Sequence, residues 1–387
     1  MNKINKDWKE VKLGDIGVFL RGFGISKKDL SDSGTPAIRY GDIYTKYDFI
    51  IKNISSFTNS KGTELKKGDI LFAGSGETIA EIGKSVAFID DFKALAGGDI
   101  IIFRPSIELD SAFLSYMLNT GKCRRDISVM GQGVIIAHIS SKSLQKLSVF
   151  LPSLEEQKRI ASALSKIDAY LENTIKLIEE KERFKRGIAK KLLTCKEGEN
   201  IPEARFKGFE DEWETKTLNS ISNIKKGEQK NKLDLIADGK YPVLNGGMNF
   251  SGYCNSYNRE ANTITISEGG NAGYVNFIKE KFWSSGHCYT LHDLKIDKYF
   301  LYQCLKNSEK RLMKLQLGTA LKNIRQSEIV EFELNIPKSI KEQEKIGGYL
   351  SLLDAEIDNL KKQKELIEEM KRGAMQKLLS GEVRLLE

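Results

Sequence analysis

"EEQKRIASALSKID" at residues 155–168 returns 186 positions later as "KEQEKIGGYLSLLD" at residues 341–354. Glu156, Gln157, Ile160, Leu164, Ser165 and Asp168 recur as Glu342, Gln343, Ile346, Leu350, Ser351 and Asp354. Six identities at one fixed offset mark an internal repeat, and a repeat sets the architecture before any single element does. Upstream, at an offset of 185, Gly133, Ile139, Leu147, Leu151 and Pro152 are echoed by Gly318, Ile324, Phe332, Ile336 and Pro337. Near the start of each half, at an offset of 205, Trp8, Leu13, Ile16 and Gly22 match Trp213, Leu218, Ile221 and Gly227. The chain is a tandem duplication, each half a variable globular unit followed by a more constant helix.

Between these anchors the halves diverge, and residues 25–130 and 230–315 share only loose features such as "ILFAGSG" beside "ITISEGG". Runs such as "AIRY", "SVAFID", "DIIIFRP", "TITIS" and "YVNFI", separated by Gly, Asn and Asp, predict strands and turns. "DSAFLSYMLNT" and "DKYFLYQCLKN" each predict a helix opened by an Asp cap. Trp8 and Trp213 are expected to pin the first strand of each unit to its core. Each globular unit is therefore α+β and about 150 residues, an ordinary domain size.

Ile160, Leu164, Ile167, Leu171, Thr174, Ile178, Ile188 and Leu192 fall on alternating four- and three-residue steps, the seam of a coiled coil. The second copy supplies Ile346, Leu350, Leu353, Ile357, Leu360, Ile367, Ala374 and Leu378. Lys181 interrupts one seam and Lys364 the other, at offset places. Antiparallel pairing of the two helices within the chain is the economical way to bury both; a generic linker or a dimerisation arm is the competing reading. From Glu155 to Thr194 a continuous helix would reach ~60 Å. Both helices close on Lys-Arg-Gly-x-x-x-Lys-Leu-Leu, placing Gly187 and Gly373 in helical pattern, where Gly costs about 1 kcal/mol relative to Ala. Close packing inside the chain or close approach of a partner would each account for them.

The 387 residues hold 61 Lys+Arg against 53 Asp+Glu, a net charge of +8, which suits a nucleic-acid partner without requiring one. No apolar run approaches membrane-spanning length, and "MNKINKDWKE" lacks the apolar centre of a signal peptide. The five cysteines are widely spaced without Cys-x-x-Cys, as in a reduced cytoplasmic protein. His287, Cys288, His292 and Cys304 have poor spacing for a zinc site and read instead as isolated residues, so no metal is expected. No catalytic residue is assigned: the chain lacks an Asn/Asp-Pro-Pro-aromatic motif, a Walker A loop and Gly-x-Gly-x-x-Gly.

The Pro-x-x-x-Glu-Gln-x-x-Ile helix opening, the Lys-Arg-Gly…Lys-Leu-Leu ending, "GTALKNIRQSEIVEFELNIP", "IPEARFKGFEDEWE" and "LLSGEVRL" together resemble the specificity subunit of type I restriction–modification systems. The resemblance covers the whole chain in order. It departs at "GQGVIIAHIS", which stands where the second half keeps Gly-Thr-Ala at Gly318–Ala320. It implies target-recognition domain 1 at 1–150, a central helix at 151–195, target-recognition domain 2 at 196–335 and a C-terminal helix at 336–387. The implied fold is α+β: two globular α+β target-recognition domains separated by two long antiparallel coiled-coil helices, a pseudo-twofold internal repeat. The implied function is a DNA sequence-specificity subunit, non-catalytic, whose domains each read one half of a bipartite site in double-stranded DNA. The helices would set the spacer and dock methyltransferase subunits, two in number, and ATP-dependent restriction subunits would join them. The chain itself would carry no cofactor; S-adenosylmethionine, ATP and Mg2+ would belong to the partners.

Within such readers, cations should anchor phosphates while Arg, Asn, Gln and Tyr on loops read base edges. In the first unit the candidates are Arg21, Lys27, Lys28, Arg39, Tyr40, Ser75, Lys84 and Gln132. In the second they are Lys225, Lys226, Lys230, Asn245, Asn249, Asn271, Tyr274, Lys322 and Arg325. For each one a solvated surface side chain is the competing reading. A DNA-free coiled-coil scaffold and a nuclease with a degenerate motif are the rival functions.

Overall fold

The structure, a computed structural model, describes residues 7–133, 137–318 and 322–386. The chain forms two compact units, one from the residues up to 174 together with those from 363 onward, the other from 175–362. Each unit thus takes part of both long helices rather than leaving them as separate bodies. Among the described residues no helix is long and apolar enough to cross a membrane.

In the first unit, Lys9–Lys12 pairs antiparallel with Ser148–Leu151, closing the globular part on itself. The main sheet runs Gly17–Arg21, Ile100–Pro105, Ile70–Ala73, Ser85–Phe88, Ile50–Ile51. Its central strands "ILFA" and "SVAF" are buried along their whole length, as β-branched and aromatic runs between two packed layers should be. A second small sheet sets Thr35–Ile38 parallel to Leu95–Ala96. The second unit repeats this plan. Glu214–Thr217 pairs with Glu333–Ile336. Asn223–Lys226, Cys288–His292, Thr263–Ser267 and Val275–Ile278 form the main sheet in the equivalent order. Tyr241–Leu244 lies parallel to Trp283–Ser284.

Four of the helices carry the repeated motifs. Helix α1 (Ser111–Leu118) is capped by Asp110, whose carboxylate accepts from Phe113 N at 2.8 Å. Helix α2 spans Leu154–Leu193 and α4 spans Ile340–Leu378. Helix α3 (Lys298–Asn307) has the matching Asp297 cap, accepting from Phe300 N at 2.8 Å. Trp8 and Trp213 are buried, each edge-on to the aromatic ring that follows the cap, Phe113 and Phe300.

The repeated Glu-Gln opening has a structural reason in each unit. Gln157 Oε1 accepts from Asp110 N at 3.0 Å while its Nε2 donates to Pro152 O at 3.0 Å, tying the start of α2 to the cap of α1. Gln343 does the same with Asp297 N and Pro337 O at 2.9 and 2.8 Å. Glu156, 1 % exposed, takes a two-pronged contact from Arg384 at 2.6 and 2.8 Å; Glu342 takes the same fork from Arg205 at 2.7 and 2.8 Å. A planar guanidinium matches a carboxylate in this way, and each such pair compensates a buried charge.

The duplicated Asp and Lys-Arg-Gly motifs meet each other. Lys371 Nζ lies 2.7 Å from Asp168 in the first unit, where Tyr116 also donates to that carboxylate at 2.5 Å. In the second unit Lys185 and Gln303 hold Asp354 at 2.5 and 2.7 Å. The early part of one helix thus meets the late part of the other, so the helices are antiparallel in each unit. Ile160 and Leu164 pack with Met375, Leu378 and Leu379; Ala189 and Leu192 pack with Ile346 and Leu350. Seam positions Leu171, Thr174, Ile178, Leu353, Ile357 and Ile367 are buried, and the interrupting lysines turn to carboxylates, Lys181 to Glu356 and Lys364 to Glu368.

The glycines of the two Lys-Arg-Gly motifs face open space: among the described residues, a Cβ at Gly187 or Gly373 would meet nothing within 4 Å. Gly187→Ala and Gly373→Ala are therefore expected each to stabilise the chain by about 0.5–1 kcal/mol, read as a raised urea midpoint at constant slope.

Candidate nucleic-acid interface

Loops of unlike sequence are held by like braces in the two units. Gly22 N donates to Ile100 O at 2.8 Å, and Gly227 N to Cys288 O at 2.8 Å. Any Cβ at Gly22 would sit 1.8 Å from Gly97 O, and at Gly227 2.2 Å from Ser285 O, so only glycine permits this crossing. The hairpin between Ile70–Ala73 and Ser85–Phe88 is matched by the one between Thr263–Ser267 and Val275–Ile278. Gly83 N donates to Ala73 O in one, Gly273 N to Ser267 O in the other. A further loop is closed by backbone bonds between Gln132 and His138, and between Leu317 and Asn323. It is anchored by Ile139 N to Gly74 O at 3.0 Å and by Ile324 N to Glu268 O at 2.9 Å. Residues 134–136 and 319–321, including Thr319 and Ala320 of the Gly-Thr-Ala form, lie outside the described residues.

These braces gather several of the candidates. In the first unit Arg21, Ser75 and Gln132 line a cleft of about 470 Å³ together with His138. Tyr40, Ser75 and Lys84 line a neighbouring one of about 890 Å³ with Tyr44 and Arg124. Ser75 belongs to both; its Oγ lies 2.9 Å from His138 Nδ1 and its carbonyl accepts from Tyr44 OH at 3.0 Å. Burial pushes the Tyr44 phenol up to about 12, so it remains a donor. Lys27 and Lys28 stand on a short 3-10 turn whose Ser26 and Asp29 form a capping box.

In the second unit Glu268, Lys226, His287 and Tyr289 cluster where several loops meet. Lys226 Nζ and Tyr289 OH donate to Glu268 Oε1 at 2.6 and 2.8 Å, and His287 Nδ1 is 3.4 Å from Oε2. Burial alone would raise the Glu268 carboxyl, but these bonds together with the charges of Lys226 and His287 hold it below the usual carboxylate range. Asn249 lines a shallow cleft of about 480 Å³ with Met248, Phe250 and Tyr253. Asn271 is exposed on the loop before Tyr274. Asn245 Oδ1 is buried without a hydrogen-bond partner among the described residues.

The cations divide by what already holds them. Arg39 is paired with buried Asp42, Lys84 donates to Tyr47 O at 2.6 Å, and Lys226 is bound to Glu268. Burial lowers the Lys84 ammonium from its ordinary value. Lys230 lies over the Trp283 ring at 3.9 Å, and Tyr274 is covered by Lys306 at 3.8 Å. By contrast Arg21, Lys27, Lys28, Lys225, Lys322 and Arg325 are exposed, and their side chains make no ion pair among the described residues. An unpaired exposed cation can approach a phosphate without first breaking an internal contact. Glu268, His138 and Trp283 were not among the candidates. His138 carried a signal, as the counterpart of Asn323 in the loop echo; Glu268 carried only its place beside two glycines.

Known proteins share this organisation. The family model for the type I restriction modification DNA specificity domain matches residues 5–180 and 210–369. A Mycoplasma pneumoniae protein named as a type I specificity subunit is 41 % identical over 159 residues, 40 % of this chain and 42 % of that protein. The chain thus aligns with less than half the length of that relative. The specificity subunit of the type I restriction enzyme MjaVIII of Methanocaldococcus jannaschii is 25 % identical over 413 residues, 99 % of this chain and 94 % of its own. The crystal structure of a type I restriction-modification S subunit from M. genitalium shares the fold, with a TM-score of 0.70 at 21 % identity over 98 % of this chain and 97 % of that one.

Proposed function

Because the chain belongs to the type I restriction–modification DNA specificity family, we propose that each of its globular units reads one half of a bipartite sequence in double-stranded DNA. The observation that carries this reading is the pairing of like braces with unlike loops: Gly22 and Gly227, Gly83 and Gly273, Ile139 and Ile324 make equivalent backbone contacts. Selection for one shared ligand would keep the loops alike; two different half-sites require the supports alone to be kept. Base edges would be read from the loops, and phosphates met by the six unpaired cations.

The chain would carry no chemistry of its own. Methyltransferase subunits, one per repeat and so two in all, would dock on the helices and flip an adenine in each half-site. Gly187 and Gly373, whose missing side chains nothing among the described residues explains, suit close approach by such partners. Helices α2 and α4, 40 and 39 residues and each ~60 Å long, would set the number of unread base pairs. ATP-dependent restriction subunits would complete the assembly, with S-adenosylmethionine, ATP and Mg2+ bound by the partners.

Mapping adenine methylation across the genome with and without this gene tests the reading. A two-part motif with a fixed gap, present only with the gene, is expected; an uninterrupted motif or no change would refute it. Phosphate contact has its own signature. Lys27→Ala with Lys28→Ala should lower the slope of log affinity against log salt by about 2, measured by fluorescence anisotropy. An unchanged slope would remove these lysines from the interface.

A further inference from the structure

We propose that Phe23 is a stacking residue, inserted between bases of the first half-site by a turn built to hold it in solvent. The inference rests on the DNA-reading function proposed above and assigns one residue within it. Phe23 is 66 % exposed, yet the backbone around it is fastened on several sides. Gly22 N donates to Ile100 O at 2.8 Å, Phe23 N to Ala96 O at 3.2 Å, and Gly98 N to Gly24 O at 2.7 Å. Its aromatic face is therefore presented on a rigid support rather than on a free loop.

The turn is also strained in a telling way. Gly24 and Ile25 both lie in the left-handed region, at φ 58° and 49°. A β-branched residue there is a steric outlier, and such strain persists only where the surroundings over-determine it, often at binding sites. Ile25 is nonetheless buried, 3 % exposed, against Ala37 and Leu95. A turn shaped by burial alone would hide the larger phenylalanine and spare the isoleucine its backbone. Here the reverse arrangement is locked in. Along the chain to either side lie Arg21, Lys27 and Lys28, exposed cations without an ion-pair partner among the described residues. An apolar wedge set among cations that meet the flanking phosphates is a known means of entering a base stack.

The second unit supplies the comparison. Glu228 N donates to Ser284 O at 2.9 Å as Phe23 N does to Ala96 O, so the two positions share one brace. An aromatic ring stands at one and a carboxylate at the other, as expected at a position that distinguishes two half-sites. Insertion should therefore occur in the first half-site only, at a step that unstacks easily, such as pyrimidine–purine.

The test uses the full chain in its assembled complex and duplexes containing the mapped site, with 2-aminopurine replacing one base at a time in each half. Apart from the adenines that the methyltransferase subunits flip in each half, wild type should brighten the probe at one step of the first half-site and at none in the second. Phe23→Ala should abolish that signal and weaken binding ~10-fold, with the salt slope unchanged because no charge is lost. Phe23→Trp, which keeps a stacking face, should retain both signal and affinity. Wild-type affinity and signal in Phe23→Ala would overturn the assignment while leaving the DNA reading intact, as would a loss of affinity with a shifted slope and an unaltered signal. No binding by wild type would overturn the DNA reading, and this inference with it.

Discussion

Arg205→Ala is expected to lower the stability of the second unit by about 3 kcal/mol, the low end of the range for removing one partner of a buried ion pair. The fork from Arg205 to Glu342 is the main compensation for a carboxylate that is 1 % exposed. Without it, Trp213 Nε1, at 3.3 Å, is the one side-chain donor left to it among the described residues. The low end applies because Arg205 reaches the surface, its side chain 12 % exposed, so water can enter the vacated space. Arg205→Lys keeps the charge but loses the two-pronged geometry and should fall between alanine and wild type. Replacing both partners with apolar residues of similar volume should recover most of the loss, because no charge is then left stranded. Urea unfolding followed by tryptophan fluorescence measures the effect, Trp213 being part of the cluster. An alanine variant within 1 kcal/mol of wild type would mean that the buried carboxylate does not depend on its arginine.

Exchanging residues 1–150 for the corresponding unit of another family member should replace one half of the methylated sequence completely and leave the other half and the gap unchanged. The loops from Gly22 to His138 would all be exchanged, while Gln157 and Asp168 would remain as sockets on α2. The incoming unit must bring a helix cap whose backbone N meets Gln157, as Asp110 N does at 3.0 Å. It must also bring a donor for the aspartate. The repeat itself shows the tolerance there, since Tyr116 serves Asp168 while Gln303 serves Asp354. Genome-wide methylation mapping of cells carrying the exchanged chain is the measurement. Loss or alteration of both halves would count against independent readers.

Much of this architecture was visible in the residues. The two Asp caps, the pinned tryptophans and the antiparallel seam follow from local pattern, and the expected helix from Glu155 to Thr194 is found at Leu154–Leu193. The reason for the repeated glutamate was not visible, because its arginine comes from unlike places: Arg384 lies 228 residues after Glu156, whereas Arg205 lies 137 residues before Glu342. Among the candidates, residue type did not reveal which cations are engaged internally. Arg39 had Asp42 three positions away, a local clue, but Lys226 finds Glu268 across 42 residues of chain. Gly187 and Gly373 showed the opposite limit, since pattern implied a close neighbour and the described residues provide none.

The division of the helices has a consequence for biogenesis. Residues 175–362 separate the two segments that make up the first unit, so the unit whose synthesis begins first is completed last. At about 5–20 residues per second the ribosome needs on the order of 10–40 s to cross that interval. Until then Ile160 and Leu164 lack Met375, Leu378 and Leu379, and the Glu156 carboxylate lacks its guanidinium. The nascent chain must shelter that apolar strip while its younger half folds unaided.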